Sequence, residues 1–243
     1  MIYHVKPGQV SYGEAIGIIL LENYVPFIPG DVANATSYPF PVRFQRIPGF
    51  SVDRIFEHDM SLVDGIVEGA KELEREGVRA ITGDCGFMAL YQDYIREAVS
   101  VPVCMSSLAQ IPFMRTMLGN GRKIGIITAN SESLDDTVLS GAGVQPGTDL
   151  VIAGLEKSEH FVSAVFREEG TLDSSIVEKE VVEAAAGLLR SDPRIALLLL
   201  ECSLLPPYTS AVGKATGLPV FDYLTMIRQL YDAVVPRSYS GYV

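Results

Sequence analysis

Ile16-Gly17-Ile18-Ile19 recurs as Ile124-Gly125-Ile126-Ile127, and the recurrence belongs to a longer ordered set. In each half a second aliphatic run ends on an acid and a cysteine: Ala80-Ile81-Thr82-Gly83-Asp84-Cys85 and Leu197-Leu198-Leu199-Leu200-Glu201-Cys202. A helical stretch follows, then a proline opens another short apolar run. Cys85 to Pro102 and Cys202 to Pro219 are each 17 residues, so Val99-Ser100-Val101-Pro102-Val103 answers Thr216-Gly217-Leu218-Pro219-Val220. Four matching residues in aliphatic strands carry little. The same order of strand, acid-cysteine, helix and Pro-Val strand, met twice, marks a duplication. The chain therefore reads as two pseudo-equivalent lobes.

Each lobe is α/β. Short aliphatic runs bounded by turn residues alternate with stretches of helical period, the pattern of β-α units around a mostly parallel sheet. The expected strands are Ala15 to Leu21, Arg79 to Thr82, Val101 to Met105, Lys123 to Thr128, Leu150 to Ala153, Ile195 to Leu200 and Pro219 to Phe221. A helix is expected over Asp53 to Arg75, where Ile55, Phe56, Met60, Val63, Ile66, Val67, Ala70 and Leu73 keep a 3.6-residue period and Gly77 stands where a C-cap belongs. Ser174 to Leu189 reads the same way. Asn23 to Phe50 holds five of the fourteen prolines and reads as a long irregular loop, open between a binding lid and a structural loop.

Composition narrows the function. With 48% hydrophobic residues and 243 in all, the chain has material for a core, and disorder is excluded. Nineteen Lys and Arg against 30 Asp and Glu give a net charge of −11, spread along the chain, which argues against a nucleic-acid surface. The longest aliphatic run, Ile195 to Leu200, is far short of a membrane span, and the N-terminal residues lack the layout of a secretion signal, so the expected location is cytoplasmic. Cys85, Cys104 and Cys202 read as free thiols, and without CxxC or HExxH no metal site is expected.

In open α/β sheets ligands bind outside the carboxyl ends of the strands, where Cys85 and Cys202 stand. Cys104, inside a strand, reads as core. If the lobes face one another, the two sulfurs approach one molecule from opposite sides: one as thiolate removes a proton, the other as thiol delivers one. Asp84 and Glu201 would raise the neighbouring thiols by repulsion, and a structural partner is expected for Glu201. Arg43, in the long loop, is a candidate carboxylate anchor because a guanidinium binds carboxylates bidentately.

On the repeated IGII strands, the two strand-end cysteines and the Pro-Val strand after each, nearly the whole chain resembles the aspartate/glutamate racemase superfamily. That group includes amino-acid and hydantoin racemases, maleate isomerases, arylmalonate decarboxylases and a branch of dimethylsulfoniopropionate lyases. The resemblance implies two pseudo-symmetric doubly wound lobes with the active site between them, residues 1–105 completed by 219–243 forming the first and 106–218 the second. It also implies no cofactor, frequent dimers, and Cys85 and Cys202 as the catalytic pair. Substrate contacts fall by the same match on Gly86, Phe87, Ser203 and Leu204 after the cysteines, and on Thr128 and Asn130 after the second IGII strand.

The chain departs from the amino-acid racemases in reading Asp84-Cys85-Gly86-Phe87 and Glu201-Cys202-Ser203-Leu204, without the usual His or Glu after the second cysteine, and in carrying Leu20-Leu21-Glu22-Asn23 after the first IGII strand. Phe87, Leu204 and Tyr208 could line an altered pocket or sit in the core; Met88 reads as core. The expected function is a cofactor-independent racemase or epimerase of a small carboxylate or amino-acid derivative. The enzyme alternative is a lyase, decarboxylase or cis-trans isomerase on the same scaffold, and the alternative of another class is a bilobal small-molecule binder.

Overall fold

A computed structural model describes residues 2–242. Its eight described strands form two four-stranded, wholly parallel sheets. The first has the order β2-β1-β3-β4, from β1 (Ile16–Leu20), β2 (Val42–Arg46), β3 (Ala80–Gly83) and β4 (Val103–Cys104). The second has the order β6-β5-β7-β8, from β5 (Lys123–Thr128), β6 (Leu150–Gly154), β7 (Ile195–Leu200) and β8 (Val220–Phe221). The two orders are the same after renumbering, and the IGII segments are the equivalent strands β1 and β5. The repeated glycine allows close packing in both, against different partners: a Cβ on Gly17 would stand 3.0 Å from Leu73, and one on Gly125 2.7 Å from Leu198 of the neighbouring strand. Gly17 thus lets α2 (Val63–Arg75) lie close to the first sheet, whereas α7 (Ser174–Ser191) reaches Gly125 of the second only at ordinary contact distance.

Two segments differ from the sequence reading. The 53–75 stretch is not one helix. α1 (Val52–Phe56) ends, His58 takes φ 55°, and a 3-10 turn at Met60–Leu62 leads into α2. Asp59 fixes this break by accepting from the Ser61 N–H (2.9 Å) and from Arg54 Nε (2.7 Å). Gly77, at φ 96°, ends α2 as its sequence position indicates. The Asn23–Phe50 segment contains β2, which pairs in parallel with β1 from Ile16↔Val42 to Leu20↔Arg46. Flanking prolines at 39, 41 and 48 hid it, although Val42 and Phe44 alternate with Arg43 and Gln45 as an edge strand requires.

The lobes exchange helices. α4 (Ile111–Thr116) follows β4 of the first sheet and packs against β5 of the second. Its counterpart α9 (Tyr223–Val234) follows β8 of the second sheet and lies against β1 and β3 of the first, where Tyr223, Leu224, Met226 and Ile227 bury Ile16, Ile18 and Ala80. The return to the first lobe therefore starts at Asp222 rather than Pro219, because Val220–Phe221 are held in the second sheet by their ladder with β7. One continuous core joins Ile124, Ile126, Leu197 and Leu199 of the second sheet to Phe87, Met88 and Ala89 of the first lobe. Among the described residues no helix is long and apolar enough to cross a membrane.

The seam is tightest where α5 (Asp136–Gly141) meets the 3-10 turn Gly86–Tyr91 behind Cys85. A Cβ on Gly141 would overlap the Ala89 carbonyl oxygen and come within 2.9 Å of its carbon. These are backbone atoms and cannot turn aside. Gly141→Ala is expected to lower the unfolding free energy by about 1–3 kcal/mol, measured by urea titration, and an unchanged midpoint would mean the lobes separate at no cost.

Candidate active site

Both acid-cysteine pairs leave their strands in the same way. At the end of β3 the Asp84 N–H donates to the Ile19 carbonyl (3.0 Å), and at the end of β7 the Glu201 N–H donates to the Ile127 carbonyl (2.8 Å). The Asp84 carboxylate then accepts from the Leu21 N–H (3.0 Å), and the Ala129 N–H, the equivalent position, lies by the Glu201 carboxylate and favours its ionised form. The backbone N–H two residues ahead acts on each thiol and favours its ionised form, Phe87 at Cys85 and Leu204 at Cys202. The duplication thus extends to individual hydrogen bonds, at the carboxyl end of the strand beside β1 or β5, where the strand order switches direction.

The two thiols are near enough for the charge of Cys202 to act on Cys85. Cys85 is half-buried and Cys202 buried, and burial is the main cause that pushes both thiols well above their ordinary range. Among charged neighbours Glu201 raises each of them most; Cys202 and Asp84 add to the effect at Cys85, and Asp31 and Asp84 at Cys202. None of these neighbours is basic. Burial pushes the Asp84 and Glu201 carboxyls up to about 7 and raises Asp31 well above the carboxylate range. At neutral pH the resting centre holds two protonated thiols and acids poised to ionise, so any base chemistry here begins by removing a thiol proton.

Glu201 is fully buried. Its Oε2 accepts from the Thr128 hydroxyl (2.9 Å), its backbone carbonyl accepts from the Ser107 hydroxyl (2.7 Å), and its Oε1 has no hydrogen-bond partner. The expected structural partner exists, but it occupies one oxygen only. A Cβ on Gly86 would overlap Oε1, so this carboxyl reaches across the seam to the residue after Cys85.

The remaining candidates divide. Ser203 is buried at the seam, and its carbonyl accepts from the Val32 N–H of the long loop (3.3 Å). That contact sets Asp31 beside the second cysteine. Phe87 is core, edge-on to Phe56 at 4.9 Å between ring centroids; Met88, Leu204 and Tyr208 are core as well. Asn130 is spent locally, its Oδ1 accepting from the Glu132 and Ser133 N–H groups at 2.9 and 3.2 Å. Arg43 is not at the site. It opposes Gly17 on β2, where its guanidinium pairs with Glu76 (2.6 Å), Glu14 (3.4 Å) and the Ser11 hydroxyl, toward the amino ends of the strands. An edge strand replaced the loop that was to carry it to the ligand.

Three contributors went unread in the sequence: Asp31, Ser107 and Tyr223. Tyr223 is fully buried, donates to the Met105 carbonyl (2.8 Å) and feels the charge of Cys85, Glu201 and Asp84. Carrying the repeat past each Pro-Val strand finds Ser106-Ser107 and Tyr223-Leu224 as counterparts. Nothing in the sequence marks Asp31.

Known proteins are similar to this chain in sequence and in fold. A dimethylsulfoniopropionate lyase of Durusdinium sp. clade D is 34% identical over 215 residues, covering 86% of this chain and 71% of that protein. Dimethylsulfoniopropionate lyase 3 of Emiliania huxleyi (strain CCMP1516) is 32% identical over 238 residues, covering 93% and 61%. The chain thus spans 61 to 71% of the length of these two relatives. Among solved structures, the Picrophilus torridus aspartate racemase superposes with a TM-score of 0.57 at 18% identity (93% of this chain, 96% of the other). Unliganded arylmalonate decarboxylase superposes with a TM-score of 0.55 at 16% identity (94% and 96%). No family model matches.

Proposed function

The chain belongs to the dimethylsulfoniopropionate lyase family, an enzyme family with the fold of the aspartate/glutamate racemases, and we propose that its own reaction is an elimination. In this reading the Cys85 thiolate removes a proton from the α-carbon of a small carboxylate. The electron pair of that C–H bond forms the alkene, the bond from the β-carbon to the leaving group breaks, and the leaving group departs with its pair. With dimethylsulfoniopropionate the products are acrylate, dimethyl sulfide and one proton. Cys202, more deeply buried, stays a thiol and donates to the substrate carboxylate as charge builds there. Thiols and backbone donors supply all of this without a cofactor.

The relatives carry the proposal, because those matched over most of this chain are lyases by name. The charge of the site supports it: Asp31, Asp84 and Glu201 around the thiols suit a cationic leaving group and oppose a second substrate carboxylate. This favours elimination over the inversion expected from the paired cysteines alone. Inversion is the second reading, and a thiol from each lobe is the observation that favours it.

Headspace gas chromatography of the purified protein with dimethylsulfoniopropionate is expected to show dimethyl sulfide, with acrylate in equal amount by NMR. In parallel, single enantiomers of aspartate, glutamate and hydantoins are incubated in D2O. Deuterium entry with loss of optical activity, and no sulfide release, would replace the elimination reading by inversion.

A further inference from the structure

The duplication is broken at one pair of positions. The first lobe reads Asp84-Cys85-Gly86, the second Glu201-Cys202-Ser203. Equivalent backbone N–H groups lie by the two acids, Leu21 bonded to Asp84 at 3.0 Å and Ala129 by Glu201. Asp84 is one methylene shorter than Glu201, whose carboxyl extends until Oε1 lies over Gly86, where a side chain would collide with it. That oxygen is fully buried and unpartnered, which in a native interior calls for a use. We infer that Glu201 takes the proton from Cys85, acting through the opposite lobe's thiol as the positioning residue that makes Cys85, and not Cys202, the base.

The inference rests on the elimination reading for its consequence and on the geometry for its existence. The step balances: the Cys85 S–H bond breaks as an O–H bond forms on Glu201 Oε1, leaving a thiolate beside a neutral carboxylic acid. The thiolate takes the α-proton of substrate and returns to thiol, and Glu201 then releases its proton to water, accounting for the one proton per turnover. In the empty site the first transfer is uphill, because burial raises the Cys85 thiol more than the carboxyl. A cationic substrate group brought to the thiols stabilises the anion and lessens that difference. The groups around Glu201 are Cys85 from the end of β3, Cys202 on its own strand end, Thr128 at the end of β5, and Tyr223 from α9; Asp84 acts on both thiols, and Asp31 faces Cys202 from the long loop. All are acidic or neutral, and burial holds the Glu201 carboxyl up at about 7 against the lowering effect of the Thr128 hydroxyl and the Ala129 N–H.

The experiment has two readouts. Glu201→Gln keeps the shape and loses the ionisation: kcat is expected to fall about 100-fold or more with little change in KM, and the rise of kcat through pH 7 is expected to disappear. Glu201→Asp, too short to cross the seam, is expected to behave like Gln. Thr128→Val removes a hydrogen bond that favours the ionised carboxylate, so the same rise should move to higher pH. The second readout needs no substrate. Alkylation of Cys85 by iodoacetamide, followed by peptide mass spectrometry, is expected to climb through about pH 7 in the wild type and to slow about 10-fold in Glu201→Gln at pH 7.5. If Glu201 were only a repelling charge, its removal would speed alkylation. Faster or unchanged alkylation, or a kcat loss that leaves the pH limb in place, overturns the inference. A Glu201-dependent limb in a protein that releases no dimethyl sulfide sinks the elimination reading and leaves the inference standing.

Discussion

Cys85→Ser is expected to abolish turnover, with kcat down at least about 1,000-fold, because a serine hydroxyl has no accessible ionisation near neutral pH and cannot serve as the base. Cys202→Ser is expected to cost less, about 10- to 100-fold, since in elimination this residue donates a hydrogen bond and a hydroxyl can replace it. The ratio between the two is the informative quantity. A racemase needs a proton acceptor on each face of the carbon, so both substitutions would be equally severe; an elimination begins with one base. The structure supplies an asymmetry to match, with Cys85 half-buried and a free carboxylate oxygen of the other lobe lying over the next residue, Gly86, while Cys202 is buried. Sulfide release and α-deuterium exchange are measured on both variants, with near-ultraviolet circular dichroism to show that each is folded. Equal loss in both points to inversion. Near wild-type rates in both would remove the cysteines from the chemistry altogether and bring back the bilobal binding protein.

Stability is expected to fall as pH rises from about 4 to 8, opposite to what salt-bridged carboxylates give. Asp84 and Glu201 are held at about 7 in the folded protein against 3.8 and 4.5 when unperturbed. Between these limits the folded state binds protons that the unfolded state has released, so the unfolding free energy declines through this window and levels off above the folded values. At full ionisation the loss is roughly 3–4 kcal/mol for each group. Asp31, also raised by burial, acts in the same sense. Urea midpoints at pH 5 and pH 8 are compared for the wild type and for Asp84→Asn with Glu201→Gln. The wild type should be the more stable at pH 5, and the double variant should gain at pH 8 and lose most of the slope. A wild-type midpoint that is flat or climbs between these values contradicts the burial that raises both acids. The proposed activity needs Glu201 ionised, so the enzyme is expected to work best where its resting fold is weakest, a trade known for preorganised sites.

The sequence by itself determined the doubling, the parallel α/β architecture and the pair of strand-end cysteines. These are carried by local pattern and spacing: β5 and β7 begin and end at the residues their aliphatic runs indicate, and the 17-residue interval from each cysteine to its proline recurs because each copy must traverse the same turn, helix and strand. Relations across the seam were decided by the tertiary structure alone. Arg43 looked available in the chain and is consumed by Glu14 and Glu76, because β2 pairs as an edge strand and fixes its position toward the wrong end of the sheet. Asp31 was silent until Val32 bonded to the Ser203 carbonyl and brought the long loop beside Cys202. The difference between Asp84 and Glu201 is visible as one methylene in the sequence, but its meaning depends on where that methylene is spent. Only the packing of one lobe on the other places a glycine, 115 residues away in the chain, where the Glu201 carboxylate arrives, and no local pattern encodes a contact at that separation.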